Sequence, residues 1–224
     1  MLTQLALRDD DESGSAAEAE YAASLTAALG ALLPLISPPL LQYPKLCSSY
    51  FELLSTLLYS RPLAAIGMPS ALYESVLASL GFGFAHHEIA ICRSALETAY
   101  ELARHAAANE AHAAPMASML GALLSRVATD LLTSRLVPDV VEPAAGNALL
   151  ALIVCQQSHW QALVASLLAA QPTADARERL AAAFGALLAS NGVTVSLARP
   201  NRARFRANLA VLLRATQASG LRVP

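Results

Sequence analysis

The 224-residue sequence predicts an all-helical fold, on three observations. Ala (48) and Leu (41) supply about two-fifths of the chain while Val (11) and Ile (5) are scarce, a composition that favours helix and starves strands of β-branched residues. Apolar residues recur at spacings of three and four in blocks of about 12 to 22 residues, and no block alternates as a strand does. The breaks between blocks are short and carry Pro, Gly or Asn, so consecutive helices are expected as antiparallel neighbours. About nine helices whose pairs span roughly 40 to 50 residues match the HEAT-type period better than a closed bundle. The predicted fold is therefore an α-solenoid of HEAT-type antiparallel helix pairs, an α–α superhelix. The repeat is one of structure, because the pairs share no convincing residue-level similarity.

Along the chain, residues 1–20 read as an acidic flexible segment. Asp9, Asp10, Asp11, Glu12, Glu18 and Glu20 crowd there with few large apolar residues to bury, and the aspartate cluster is unlike the start of a secretory signal. The array is expected over residues 21–224. Its first helix, Tyr21 to Ile36, carries Leu25, Leu29, Leu32 and Leu33 but also Ala22, Ala23, Ala27, Ala28 and Ala31, making it apolar nearly all round. Further stripes follow: Tyr50, Leu53, Leu54, Leu57, Leu58; Leu72, Val76, Leu77, Leu80; Ile89, Cys92, Leu96, Tyr100; and Met116, Met119, Leu120, Leu123, Leu124, Val127, Leu131. Trp160, Leu163, Val164, Leu167, Leu168, then Leu180, Phe184, Leu187, Leu188, then Phe205, Leu209, Leu212, Leu213 complete the series. Capping boxes are expected at Ser49/Glu52 and Asp139/Glu142, an N-cap at Thr173, and helix ends at Gly81/Gly83 and Asn191-Gly192.

An all-round apolar helix in a solenoid is flanked on both sides. Without a preceding neighbour, on the order of 300 to 400 Å² of apolar surface stays wet at a cost of roughly 8 to 10 kcal/mol, so the sequence reads as the C-terminal part of a longer array. Its longest strongly apolar uncharged run, Tyr21 to Ile36, has 16 residues, short of the roughly 20 a membrane-spanning helix needs. Membrane insertion is not expected.

Constellations that carry chemistry are sparse. Cys155 and His159 are one helical turn apart, but a zinc site needs two more ligands, and His86, His87, Cys92, His105 and His112 sit in other blocks without ligand-pair spacing. Gly81-x-Gly83 lacks the third small residue and the preceding strand of a dinucleotide fingerprint. Ser48, Ser49, Ser158 and Ser166 lie in helical pattern and not in a strained nucleophile turn. Cys47, Cys92 and Cys155 are widely spaced and read as reduced core residues. No catalytic residue, metal ligand or cofactor site is expected. Net charge of −2 and a pI near 6.2 argue against general nucleic-acid affinity, although Arg199, Arg202, Arg204, Arg206, Arg214 and Arg222 crowd the end. Arg199, Arg202 and Arg206 share one helix face. That face is either solvated, touching acidic groups of its own chain, or a binding surface for an acidic protein partner; the lack of interleaved aromatics disfavours nucleic acid.

The stretch Leu40-Leu41-Gln42-Tyr43-Pro44-Lys45-Leu46-Cys47-Ser48-Ser49-Tyr50-Phe51-Glu52-Leu53 resembles a segment shared by the exportin-four and exportin-seven group of importin-β-like nuclear transport receptors. Glu142-Pro143-Ala144-Ala145-Gly146-Asn147-Ala148, Leu152, Gln157, Leu163-Val164, Leu167-Leu168, Gln171, Arg179-Leu180-Ala181, Ala183-Phe184 and Leu187 are similar to the exportin-four pattern in order and spacing. The likeness runs from about Tyr21 to Pro224, over the end of the family's longer solenoid. It implies a HEAT-type receptor that binds protein cargo together with Ran-GTP, contacts nuclear pore proteins and shuttles between nucleus and cytoplasm, with nucleotide hydrolysis supplied by Ran. It also implies that the principal Ran-binding arch lies in N-terminal repeats outside this chain. The alternative is a free-standing helical-repeat adaptor without transport activity.

Overall fold

A computed structural model of the protein describes residues 15–36, 39–60, 68–136 and 141–223. Among them are nine α-helices and no strand: α1 Ser15–Leu32, α2 Pro44–Ser60, α3 Ser70–Phe84, α4 Ile89–Ala108, α5 Glu110–Leu132, α6 Gly146–Cys155, α7 Gln157–Ala169, α8 Ala174–Ala189 and α9 Arg199–Ser219. Short 3-10 turns at Leu33–Leu35, Leu40–Gln42 and Ser190–Gly192 and a π turn at Val141–Ala145 link some of them.

The helix α4 occupies the middle of the fold, in contact with α2, α3, α5 and α6. The reason is its sequence: Ala95, Ala99, Ala103 and Ala106 alternate with Cys92, Leu96 and Leu102, and all are buried. Small side chains let neighbouring helix axes approach, while the larger ones fill the grooves between them. The stripe from Met116 to Leu131 on α5 is buried at every expected position. The second half of the chain joins through α6, which meets α4, α5 and α9, and α9 closes over α8.

Several helix ends differ from the sequence expectation. The helix α1 begins at Ser15, inside the segment expected to be a flexible linker, because Ala and Glu are strong helix formers even where little can be buried. It buries Leu29 and leaves Ala23, Ala27 and Ala31 exposed, and in the 3-10 turn that follows Leu33 is buried and Leu35 is 67% exposed. Ser49 and Glu52 do not form a cap: α2 starts a full turn earlier, where Tyr43 is extended, Cys47 N–H donates to Tyr43 C=O at 2.9 Å, and Pro44 takes the first helical position. Asp139 lies outside the described residues.

Gly81 and Gly83 do not stop α3, which continues to Phe84. Gly83 is there for close approach, since a Cβ on it would sit 2.5 Å from the Phe51 ring and 2.8 Å from the Ala95 Cβ. Two other ends are as expected. Thr173 caps α8 by accepting from Ala176 N–H at 3.2 Å, and α8 ends ahead of Asn191 and Gly192, both at positive φ.

The helix α6 has no counterpart among the apolar stripes. Its residues Gly146 and Ala148 to Ile153 are all buried, so it is apolar all round and carries no helical period to detect. It breaks at Gln156, whose N–H bonds to Leu152 C=O at 2.9 Å and Ile153 C=O at 3.2 Å. There the chain turns by 111° into α7. Among the described residues no single helix is long and apolar enough to cross a membrane.

Leu120→Ala, at a fully buried site of α5, is expected to cost about 2–5 kcal/mol by urea denaturation. Gly83→Ala is expected to destabilise by about 1–3 kcal/mol through overpacking against Phe51. Gly185→Ala, where a Cβ meets nothing within 4 Å, is expected to stabilise α8 by about 0.5–1 kcal/mol.

Candidate functional site

Among the described residues, three openings between helices bring together side chains that are distant in sequence. The first is an apolar hollow of about 470 Å³ between α6, α7, α8 and the segment after α8. Trp160 and Phe184 meet edge to face across it, their ring centroids 6.0 Å apart, and Ile153, Val164, Leu168 and Val193 complete the walls. Leu188 and Val195, 37% and 66% exposed, stand at its edge. No charged residue lines it.

The wall formed by residues 193–195 is held by buried amides of α9. Asn201 donates through Nδ2 to Thr194 C=O at 2.7 Å and Ser196 C=O at 2.6 Å, and its Oδ1 accepts from Thr194 N–H at 2.8 Å. Two turns further on, Asn208 Nδ2 donates to Leu187 C=O at 3.0 Å and Ser190 C=O at 2.9 Å. The bond to Leu187 C=O satisfies a carbonyl in the last turn of α8, and the bond to Ser190 C=O adds to the one it accepts from Val193 N–H at 3.3 Å. Gln171 does the same work at the other end, joining Leu167 C=O and Arg222 C=O through its Nε2. Asn201 and Asn208 stand isolated in a helical pattern that carries no signal of such a role, and Gln171 stands out in the sequence only for its place in the exportin-like pattern.

The second opening, about 540 Å³, is bordered by Leu41, Cys47, His86, His87, Glu88 and Arg126. Cys47 Sγ and His86 Nε2 lie 3.8 Å apart although 39 residues separate them. The pair is not arranged for thiol activation. Glu88 N–H donates to His86 Nδ1 at 3.0 Å, so the neutral ring carries its proton on Nε2, facing the sulfur, and has no lone pair there to accept one. Burial, with Glu88 adding to it, pushes the Cys47 thiol up. Burial also pushes Cys92 up to about 11, with Asp130 contributing, and Cys155 up to about 11. All three are free thiols, held protonated near neutral pH.

Behind this opening Asp130 is completely buried, with one oxygen 2.5 Å from Arg126 Nε. Arg126 also donates to Gly81 C=O at 3.0 Å, which ties α5 to α3.

Cys155 and His159, one turn apart in sequence, are separated by the break at Gln156. Cys155 Sγ–H donates to Ala103 C=O at 3.0 Å, whereas His159 Nε2 meets Ser125 Oγ at 2.8 Å. Among the described residues no group of three or more His, Cys, Asp or Glu is placed to hold a metal ion. His105 and His112, unconnected in the sequence reading, stack at 4.9 Å with Nε2 and Nδ1 3.0 Å apart.

The third opening, about 450 Å³, lies where α2, α4, α6 and α9 meet and contains Arg202. Of the three arginines expected on one face of α9, Arg199 is exposed, while Arg202 and Arg206 are half-buried. Arg202 donates to Tyr100 Oη at 3.1 Å with its guanidinium carbon 5.6 Å from the ring centroid, and Arg206 donates to Asn147 Oδ1 at 3.0 Å. Arg202 and Arg206 are thus turned toward the protein's own α4 and α6, and Arg199 is not. No family model matches the chain.

Burial and the neighbouring His112 and Arg104 lower the pKa of His105, and burial with His87 lowers that of His86. A lowered folded-state value means the unfolded chain binds protons first, so the stability these rings contribute is full above their ordinary value near 6.5 and is lost as pH falls through the folded values. The urea midpoint is expected to drop between about pH 7 and pH 5. His86→Gln/His105→Gln is expected to flatten that drop, measured by circular dichroism at both pH values.

Proposed function

We propose that the chain is a non-catalytic helical scaffold for protein partners, working as the C-terminal portion of an importin-β-like export receptor whose helix pairs are of HEAT type. The observation that carries the reading is the apolar hollow at Trp160 and Phe184. An uncharged concavity with exposed Leu188 and Val195 at its edge is suited to receiving apolar side chains of another protein, as the buried centre of an interface does. The likeness of residues 40–53 and 142–187 to the exportin-four group supports placing that scaffold in nuclear transport. In this reading Ran-GTP and cargo bind the receptor as a whole, nuclear pore proteins guide its passage between nucleus and cytoplasm, and neither nucleic acid nor membrane insertion is involved. Binding is linked to a change in solenoid curvature, and Arg199 on the exposed side of α9 contributes to an acidic partner's docking surface.

The test is capture of partners from nuclear extract on the immobilised native polypeptide, with Ran loaded with a non-hydrolysable GTP analogue or with GDP. Capture that requires Ran-GTP is expected. Leu188→Glu is expected to weaken it about tenfold or more by placing a charge in the apolar contact, with unchanged circular dichroism. Capture indifferent to Ran supports an adaptor, and no capture in either nucleotide state overturns the scaffold reading.

A further inference from the structure

The opening around Arg202 has a chemistry that the scaffold reading does not use. Arg202 is a half-buried cation with no carboxylate paired to it among the described residues. Of the five N–H donors of a guanidinium, one is bonded within the chain, to Tyr100 Oη. Its Nε is buried and has no acceptor. A buried donor without a partner costs the desolvation of that group, and a positive charge held over an aromatic face beside an open cleft favours an oxyanion. Arg126 shows the contrast. Its guanidinium is committed to Asp130 and Gly81.

The remainder of the cleft is lined by hydrogen-bonding groups from three other helices. Ser55, Thr56 and Tyr59 come from α2, Ser94 and Glu97 from α4, and Asn147 from α6. Ser55 and Ser94 are linked at 2.6 Å, which presets the orientation of two hydroxyls. Asn147 gives its Oδ1 to Arg206, which leaves its amide N–H₂ as a donor. Glu101 at the same cleft accepts from Arg104 Nε at 2.6 Å, so its charge is compensated. Glu97, exposed and with a carboxylate acceptor, remains for ligand hydroxyls. Tyr59, 60% exposed, presents a ring at the mouth.

We propose that this cleft binds a small anion bearing several hydroxyl groups, a sugar phosphate or a sugar carboxylate, with the oxyanion on Arg202 and the hydroxyls on Glu97, the Ser55–Ser94 pair and Asn147. The volume, about 450 Å³, lies within the range of small-molecule sites. The site does not depend on the partner reading, because none of these residues lines the apolar hollow.

The experiment is isothermal titration of the whole chain with glucose 6-phosphate and with glucuronate, against glucose and inorganic phosphate as controls. Saturable binding of at least one of the two hydroxylated anions, tighter than of either control, is expected, and which of the two binds names the oxyanion. Arg202→Gln is expected to weaken it about tenfold or more, as for loss of a charge-assisted bond. Tyr59→Ala, at an exposed side chain that leaves the fold intact, is expected to weaken it several-fold, whereas Arg199→Gln and Arg204→Gln leave it unchanged. No saturable binding by the native protein, equal binding of inorganic phosphate, or equal loss in the Arg199 and Arg204 variants overturns the proposal.

Discussion

The fold depends on how closely four helices can approach α4. Ala95, Ala99, Ala103 and Ala106 are buried along it, and a glycine on α3 meets it at Ala95. Close axes bring many atoms into contact per residue, so dispersion and burial together offset the conformational entropy of a long helix. The same closeness explains why hydrogen bonds of side chains to a neighbouring helix's backbone recur around this core. Cys155 reaches Ala103 C=O and Arg126 reaches Gly81 C=O because little intervenes.

Polar groups inside the stack are few, and they act at joints. Asn201 and Asn208 fasten the segment after α8, and Gln171 fastens the chain's last residues. Asp130 is a different case. A buried carboxylate with a single cationic partner and one oxygen without a hydrogen bond is a costly way to hold two helices. It does fix register, since Arg126 can meet Gly81 C=O only with α3 and α5 at one relative height.

Much of the fold was legible in the sequence. The stripe Met116 to Leu131 predicted its own buried face, and Thr173 predicted its own cap, because both signals are local and periodic. The helix α6 was not, since a helix buried on every side has no contrast between faces. Gly83 was misread as a stop for a related reason: from sequence alone, a glycine that permits close packing is indistinguishable from one that ends a helix. The openings were the least legible part. Cys47 meets His86 across 39 residues and Arg202 meets Tyr100 across 102, and such meetings follow from tertiary packing. Of the arginine face expected on α9, Arg199 is exposed, and the part formed by Arg202 and Arg206 is half-buried. The direction of that part, toward α4 and α6, depends on Phe205, Leu209 and Leu212 seating α9 in the core.

The apolar hollow has a spectroscopic consequence. Trp160 is the chain's only tryptophan, and it stands in the hollow's wall with Phe184 against it. Indole emission from the entire protein therefore originates at one known point. The colour and polarisation of that light report whether the hollow is wet, dry or filled, without a label and without altering a residue.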